Sequence, residues 1–325
     1  MGQYPLISVI IATYNQPNYI FETIDSVLIQ DYPNIELIIC DDGSSHFDGA
    51  SIECYINKHK KANISNIIIH HNECNVGTVR NINGGIKLAS GDFIKAIAGD
   101  DAFYDKNVFR LQAEYLCSHA ELLVTGKSQA CDEVMQPIPN RQTDNTNRVL
   151  SGFYKNDAKT MAKMIRTLKI YPYVTQSFCF KREFFETYGL FDERYFLLED
   201  SPMTTRIIRN EIPVGYCDIF TVKHRASVGI SANEVVFSSR KIRYYKDLAM
   251  CIRSEMVPYP DIYPRLSTRY SLKTAEFRCA MCEADSKIAK LLLLLKNVDT
   301  ILIYVFADPR EGYLKIKSAL KFGVQ

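Results

Sequence analysis

The sequence has little net charge and no uninterrupted apolar segment long enough to cross a membrane. Its 39 Lys and Arg residues nearly balance 37 Asp and Glu residues, which leaves a net charge of +2 over 325 residues. So small a charge gives no overall attraction to nucleic acid, and we expect no nucleic-acid partner. The most apolar stretch, residues 287–306, is interrupted by Lys290, Lys296 and Asp299, which argues against a membrane-spanning helix.

Features of secreted proteins are also missing. The first fifteen residues, MGQYPLISVIIATYN, have no basic start, no long apolar stretch and no cleavage site, so they do not resemble a secretory signal. We therefore expect a cytoplasmic protein with reduced cysteines. Cysteines such as Cys40 and Cys179 lie in apolar runs, where a free thiol packs as a small hydrophobic group.

Two common phosphate-binding motifs are absent. No G-x-G-x-x-G follows the first apolar run, and no G-x-x-x-x-G-K-[ST] occurs anywhere in the chain. Neither a dinucleotide-binding fold nor a P-loop is therefore supported. If the protein binds a diphosphate, we expect a metal ion to neutralise it.

What the first hundred residues do contain is an alternation of short β-branched runs with stretches of helical spacing. The predicted strands are residues 6–12, 35–40, 66–71 and 93–98, and the predicted helices between them are residues 16–30, 48–61 and 78–90. Apolar strands joined by helices of about a dozen residues predict an α/β fold, with a mainly parallel sheet covered by helices on both faces.

Polar residues follow each predicted strand. They are Thr13-Tyr14-Asn15, Asp41 to Ser45, Asn75-Val76-Gly77 and Asp100-Asp101. Because ligands of such sheets bind beyond the carboxyl ends of the strands, these four loops are expected to line one crevice. The adjacent carboxylates Asp100 and Asp101 repel each other unless a divalent cation or sugar hydroxyls share their charge.

These segments carry a resemblance to a known family. SVIIATYN, LIICDDGSS, NVGTVRNINGGIKLASGDFIKAIAGDD and GLFDERYFLLEDSPMTTRIIRNEIPVGY, in this order, resemble the family 2 glycosyltransferases, and the resemblance covers residues 6–231. It implies a GT-A-like fold in which residues 1–102 bind the nucleotide sugar and residues 103–232 bind the acceptor. Beyond the resemblance, the helical spacing of residues 235–256 and 266–284 predicts that residues 233–325 form a C-terminal helical extension.

The resemblance implies an inverting, metal-dependent transferase. It would move a sugar from a nucleotide-diphosphate donor, such as a UDP-sugar, to a hydroxyl of a glycan or lipid-linked glycan during bacterial surface polysaccharide synthesis. The implied donor-side residues are Ala12, Thr13, Tyr14, Asn15 and Asp42 around the base, Arg80 near the base or diphosphate, and Asp100 and Asp101 holding Mn²⁺ or Mg²⁺ and a ribose hydroxyl. Ala98 stands where many relatives carry a further Asp, which lowers the metal affinity that we expect.

On the acceptor side, the resemblance implies that Asp200 is the catalytic base, because inversion needs a carboxylate to take the proton of the attacking hydroxyl. Glu199 would orient Asp200 or bind the acceptor. Arg206 would bind phosphate or pair with a neighbouring acid. His224 or Arg225, in KHRASVGIS, would contact the diphosphate.

Simpler interpretations remain open for single residues. Asp pairs are common in turns, Glu199-Asp200 could serve only the helix dipole, and Arg80 could be a solvated surface charge. Two alternative functions also remain: a non-catalytic GT-A-like protein that binds a nucleotide sugar or scaffolds an assembly, and a nucleotidyltransferase. The lack of a Gly-rich basic loop after the first strand disfavours the second.

Two further regions have several interpretations. Residues 127–148 are polar and predict a long loop that is either a mobile lid or inert. Residues 286–325 carry seven basic and three acidic residues, a net charge of +4. Such a basic, apolar tail could lie on the inner face of the cell membrane, pack on the catalytic domain, or pair two subunits as a homodimer.

Overall fold

The computed structural model describes residues 4–226, 239–284 and 286–298. The chain forms two compact units, residues 1–232 and residues 233–325. The strands of the first unit are β1 (Ile7–Thr13), β2 (Ile35–Asp41), β3 (Ile64–His71), β4 (Phe93–Ala98), β5 (Ala102–Phe103), β6 (Leu123–Cys131), β7 (Cys179–Lys181) and β8 (Gly215–Arg225). Its helices are α1 (Ile20–Leu28), α2 (Gly49–His59), α3 (Thr78–Leu88), α4 (Val108–Ser118), α5 (Arg141–Phe153), α6 (Ala158–Leu168), α7 (Arg182–Tyr188) and α8 (Asp200–Arg209), with a 3₁₀ turn at Thr175–Ser177.

The described strands of this unit form one eight-stranded sheet with the order β3-β2-β1-β4-β7-β6-β8-β5. The pairs β3-β2, β2-β1, β1-β4 and β6-β8 are parallel, and β7 and β5 pair antiparallel to their neighbours. The sheet is therefore mainly parallel, and the predicted α/β class is confirmed. The four strands predicted in the first hundred residues all exist, each within about two residues of its expected ends.

Helices cover both faces of the parallel part of the sheet. Ile7, Val9 and Ile11 alternate along β1 and pack with apolar residues of α1 and α2. The opposite face carries Ile10 and meets α3. A Cβ on Gly85 of α3 would lie 2.5 Å from Ile10 Cγ2, so glycine lets this helix approach the sheet closely.

A buried glutamate joins the strands at the end opposite the crevice. Glu36 of β2 accepts hydrogen bonds from Ser8 Oγ (2.6 Å), Ser90 N (2.8 Å), Ser90 Oγ (2.8 Å) and Asn66 Nδ2 (3.1 Å). Burial acts to raise the pKa of Glu36, but these hydrogen bonds to the charged form outweigh it, and the pKa is lowered. The carboxylate thus connects β1, β2, β3 and the turn before β4.

Residues 127–148 do not form the long loop predicted from their polarity. β6 continues to Cys131, and α5 begins at Arg141. The side chain of Asn140 accepts a hydrogen bond from Thr143 N at 3.1 Å and caps α5. Asn140 therefore caps a helix, and the Asn and Thr residues whose polarity predicts a loop lie within that mostly polar helix.

The second unit is helical where the structure describes it. Its elements are α9 (Ser239–Cys251), a π-helical turn (Ile252–Met256), α10 (Arg265–Glu283) and α11 (Lys287–Lys296). Ala249 and Ile252 pack against Ala275, and Lys246 pairs with Glu283 at 2.7 Å. In the described parts of the chain, no helix has the length and apolar character needed to span a bilayer.

Candidate active site

The ends of three neighbouring strands are held together at one edge of the sheet. The carbonyl of Thr13, at the end of β1, accepts a hydrogen bond from Asp42 N at 2.9 Å. The carbonyl of Ala12 accepts another from Gly99 N at 2.8 Å. The loops after β1, β2 and β4 therefore meet at this edge, as the sequence predicts for a ligand crevice.

The expected base-pocket residues lie at this rim. Thr13 is buried, Ala12 and Tyr14 are partly exposed, and Asn15 is exposed in a left-handed conformation with φ of 53°. Asn15 N donates to Ser44 Oγ at 2.7 Å, which links the loop after β1 to the loop after β2. Residues 12–15 therefore form a partly exposed surface. Hydrogen bonds of Thr13 and Asn15 to the loop after β2 hold the backbone of this surface in place.

Asp42 fixes the loop that precedes α3. Its Oδ1 accepts from Val76 N (2.8 Å) and Asn72 Nδ2 (3.2 Å), and its Oδ2 accepts from Gly77 N (2.9 Å). The buried carboxylate is thus largely satisfied by the protein. Its contact with a nucleotide base stays a prediction, and it would use the lone pairs that remain.

Gly77 brings the acceptor-side segment against the donor-side loop. Its φ is 94°, and a Cβ at this position would lie 2.5 Å from the carbonyl oxygen of Phe196. Only glycine adopts this conformation readily and leaves room for Phe196. The segment before α8 therefore lies directly beside the start of α3.

Arg80 lies on the surface of α3. Its side chain is exposed, and its Nε is 3.8 Å from Glu193 Oε2. The structure thus places Arg80 as a solvated charge paired with Glu193, and a nucleotide contact stays a prediction.

Asp100 and Asp101 are both buried directly after β4. Asp101 Oδ1 accepts from Arg225 N at 2.8 Å, and Asp101 Oδ2 accepts from Gln176 Nε2 at 2.7 Å. Burial, and then the charge of Asp100, raise the pKa of Asp101.

This acid pair fits a divalent cation. Two hard carboxylates are a suitable protein contribution for Mg²⁺ or Mn²⁺ when substrate phosphates complete the coordination, and a cation would remove their repulsion. Across residues 4–226, 239–284 and 286–298, no cluster of three or more His, Cys, Asp or Glu residues could hold a metal ion by itself.

Arg225 holds the Asp100-Asp101 turn in place, a role that we call bracing. Its buried guanidinium donates from Nε to the carbonyl of Asp100 (2.9 Å), from Nη2 to Glu22 (2.6 Å) and from Nη1 to the carbonyl of Glu133. It also lies 4.4 Å from the ring centre of Tyr19. All three guanidinium nitrogens of Arg225 thus donate to protein acceptors, and its contact with the diphosphate stays a prediction.

His224 is the other residue expected near the diphosphate. Burial lowers the pKa of its ring, and its buried Nδ1 has no hydrogen-bond partner among the described residues. Such a nitrogen could be satisfied by a ligand. Most of the segment that follows, residues 227–238, lies outside the described residues.

Glu199 and Asp200 lie at the N-terminus of α8. The helix dipole favours carboxylates there. Glu199 Oε1 accepts from Thr175 Oγ1 at 3.2 Å, and Asp200 Oδ1 accepts from Ser201 N at 2.5 Å. Burial raises the pKa of both side chains, and the charge of Asp200 raises that of Glu199 further. A raised pKa brings a carboxylate closer to the pH at which it can both accept and release a proton.

Arg206 of α8 binds backbone carbonyls at the end of α7. Its Nη1 donates to the carbonyls of Tyr188 (3.2 Å), Gly189 (3.0 Å) and Leu190 (2.8 Å). The guanidinium therefore caps the C-terminal end of α7, where helix carbonyls lack partners. Phosphate binding by Arg206 stays a prediction.

Three residues that hold the acid pairs, Thr175, Gln176 and Tyr171, are not indicated by the motifs of the sequence. Thr175 and Gln176 contact Glu199 and Asp101, and Tyr171 hydrogen-bonds to Asp200. The available signal was the polar triplet Thr175-Gln176-Ser177 inside the aromatic run YPYVTQSFCF, which is unusual for a purely structural segment.

The chain is similar in sequence to known glycosyltransferases. The chain is 29% identical over 206 residues to the uncharacterized glycosyltransferase EpsJ of Bacillus subtilis, covering 63% of this chain and 56% of EpsJ. It is 32% identical over 154 residues to the abequosyltransferase RfbV of Salmonella typhimurium, covering 46% of this chain and 45% of RfbV. The chain thus spans about half the length of these two relatives.

Two solved structures show the same fold. Residues 1–349 of S. aureus TarS in complex with UDP-GlcNAc match with a TM-score of 0.54 at 16% identity, covering 98% of this chain and 92% of that one. The mannosyltransferase PcManGT of Pyrobaculum calidifontis, in complex with GDP-Man and Mn²⁺, matches with a TM-score of 0.57 at 18% identity, covering 98% and 85%. The family model for glycosyl transferase family 2 matches residues 8–189. The chain therefore belongs to glycosyl transferase family 2 and has its GT-A fold.

Proposed function

We propose that this glycosyltransferase moves a sugar, with inversion, from a nucleotide-diphosphate donor to a hydroxyl of a glycan or lipid-linked glycan. The donor that we favour is a UDP-sugar, and the pathway is bacterial surface polysaccharide synthesis. One observation carries the proposal: the buried pair Asp100-Asp101 and the partly buried pair Glu199-Asp200 are held by adjacent residues of one turn and so lie close together.

The first pair serves the donor. Asp100 and Asp101 would hold Mn²⁺ or Mg²⁺ together with the diphosphate, and the bound cation would neutralise the charge of the departing diphosphate. The complexes of TarS with UDP-GlcNAc and of PcManGT with GDP-Man and Mn²⁺ support this assignment by fold. Residues 12–15 and Asp42 form the part of the rim where the base would lie.

The second pair serves the acceptor. The acceptor hydroxyl oxygen attacks the anomeric carbon, the bond from that carbon to the diphosphate oxygen breaks, and Asp200 accepts the hydroxyl proton. Asp200 is the first residue of α8, and a regular helix would hold the base in a fixed position. Glu199, held by Thr175, orients this pair or binds the acceptor.

The proposal includes contact of the second unit with an anionic membrane surface, where a lipid-linked acceptor would be found. Ile288, Leu291, Leu292 and Leu295 form one exposed stripe along α11, with exposed fractions of 72%, 55%, 52% and 61%. Residues 286–298 contain three lysines and no acidic residue. An apolar stripe on a basic helix is typical of helices that lie in the membrane interface.

Calorimetric titration with UDP, with and without Mn²⁺, tests the donor site. We expect binding that requires Mn²⁺ and is lost in Asp101→Ala. GDP and dTDP are titrated in parallel, because the base is not fixed by the geometry. If none of the three nucleotides binds with metal present, the donor-site assignment is refuted.

Asp200→Asn tests the catalytic base against a binding or scaffolding function. We expect transfer to fall by about 10² to 10⁴, the usual contribution of a general base, with nucleotide affinity unchanged. Glu199→Gln is the matched variant and should retain more activity. Equal transfer by Asp200→Asn and the wild type would contradict the base assignment.

Sedimentation with vesicles tests the membrane contact. Leu295→Glu should reduce binding to phosphatidylglycerol vesicles, whereas Leu266→Glu, at an isolated exposed leucine of α10, should not. If Leu295→Glu instead abolishes a dimer and leaves vesicle binding intact, the stripe is a subunit interface.

A further inference from the structure

A lysine without solvent exposure lies on β4, below the crevice. Lys95 Nζ donates to Gln112 Oε1 at 2.6 Å and to the carbonyl of Phe178 at 3.1 Å. Burial lowers its pKa to about 8. A buried ammonium group is costly unless it is hydrogen-bonded, and these two bonds tie Gln112 and the carbonyl of Phe178 to β4.

Gln112 continues this network to the 3₁₀ turn at residues 175–177. Its Nε2 donates to the carbonyl of Ser177 at 2.9 Å. Lys95 and Gln112 therefore hold two consecutive carbonyls, those of Ser177 and Phe178. Ser177 Oγ also donates to the carbonyl of Val174 (2.7 Å) and lies 3.0 Å from Thr125 Oγ1. The turn is thus fixed from its inner side by buried polar groups.

The outer side of the same turn reaches both acid pairs. Gln176 Nε2 donates to Asp101 Oδ2 at 2.7 Å, and Thr175 Oγ1 donates to Glu199 Oε1 at 3.2 Å. Since Thr175 and Gln176 are consecutive, the backbone of one anchored turn sets where the two carboxylates lie relative to each other.

We propose that Thr175 and Gln176 are positioning residues, which fix the donor-side acid pair and the acceptor-side acid pair at the separation that transfer requires. This inference rests on the proposed function of the two pairs. It assigns each residue a separate effect: Gln176 governs metal and nucleotide binding through Asp101, and Thr175 governs turnover through Glu199. A residue with a merely structural role would not divide its effects in this way.

Paired substitutions test this division. Gln176→Ala removes the donor to Asp101, and Gln176→Met removes it while keeping a side chain of similar length. Thr175→Val removes the hydroxyl while keeping the side-chain shape, and Thr175→Ser keeps the hydroxyl. Thermal unfolding by circular dichroism establishes that each variant folds. Mn²⁺ binding is measured by the electron paramagnetic resonance of free Mn²⁺, and nucleotide binding by calorimetry with UDP and GDP.

We expect Gln176→Ala and Gln176→Met each to weaken Mn²⁺-dependent nucleotide binding by about 10-fold to 100-fold, as is usual for residues that support metal ligands. Thr175→Val should leave nucleotide binding unchanged and lower kcat by about tenfold, the effect of one lost hydrogen bond to a carboxylate. Thr175→Ser should restore kcat.

Two results would overturn the inference. If the wild type binds Mn²⁺ and nucleotide but Gln176→Ala and Gln176→Met bind them equally well, Gln176 has no positioning role. If Thr175→Val and Gln176→Ala lower nucleotide binding and kcat together, the turn acts as a single structural element. Failure of the wild type to bind any nucleotide with Mn²⁺ would instead refute the proposed function, and this inference with it.

Discussion

Arg225→Met separates a bracing role from the diphosphate contact that the sequence predicts for this residue. Methionine keeps an apolar stem of similar length but removes every donor of the guanidinium. Loss of the bonds to the carbonyls of Asp100 and Glu133 leaves two acceptors near the acid pair without a partner. We therefore expect a loss of stability and a loosened Asp100-Asp101 turn.

The size of the effect follows from the contacts. A hydrogen bond to a charged group contributes about 1.5 to 3 kcal/mol, so the two carbonyl bonds together contribute about 3 to 6 kcal/mol. The ion pair with Glu22 adds little, because Glu22 is 48% exposed and water can replace the guanidinium. Contact with the ring of Tyr19 adds about 1 kcal/mol.

Urea unfolding followed by far-ultraviolet circular dichroism measures this loss, since the chain has no tryptophan for fluorescence. Lys223→Met on the same strand is the control. The Lys223 amine lies 5.4 Å from the ring centre of Tyr104, a much weaker contact than those of Arg225. A stability loss below about 1 kcal/mol, together with strongly weakened nucleotide binding, would refute bracing and favour a direct diphosphate contact.

Glu36→Gln should destabilise the protein by about 3 kcal/mol at neutral pH, because the amide cannot accept two of the four hydrogen bonds. The lowered pKa of Glu36 means that its stabilisation is present above the ordinary glutamate pKa of 4.5 and is lost as pH falls through the lower folded value. Acid titration of stability should therefore be shallower in Glu36→Gln than in Glu53→Gln, an exposed control on α2; equal slopes would contradict this. Gly77→Ala should lose at least about 1 to 3 kcal/mol from backbone strain and its clash with Phe196, whereas Gly84→Ala, in open space on α3, should gain about 0.5 to 1 kcal/mol in thermal unfolding. Equal melting temperatures for the two alanine variants would show that Phe196 can move away.

The sequence predicts the parallel half of the sheet because its strands are continuous apolar runs. β1, β2 and β4 are buried along nearly their whole length, so composition alone indicates them. β5 and β7 have two and three residues, which is too short for any periodic pattern. The polarity of the sequence from residue 127 predicts a loop, but Ser128 of β6 is buried and its backbone bonds to the side chain of Asn147, a partner that the sequence pattern does not indicate.

The candidate site, like the sheet, has a part that the sequence predicts and a part that it does not. Asp100 and Asp101 could be predicted because their charges follow a buried strand directly. The partners of Asp101 could not, since Gln176 lies 75 residues away and Arg225 lies 124 residues away in sequence. Local pattern indicates which side chains end a strand, whereas hydrogen bonds between distant segments depend on the completed fold.

The close approach of α3 to the sheet at Gly85 has a consequence for how the protein responds to its substrates. A helix whose backbone lies against Ile10 and Cys40 has almost no free volume in which to slide or rotate. This part of the molecule is therefore expected to behave as a rigid reference frame during turnover. Opening and closing of the crevice must then come from the loops above the strand ends, while amide exchange within α3 stays equally slow with and without nucleotide.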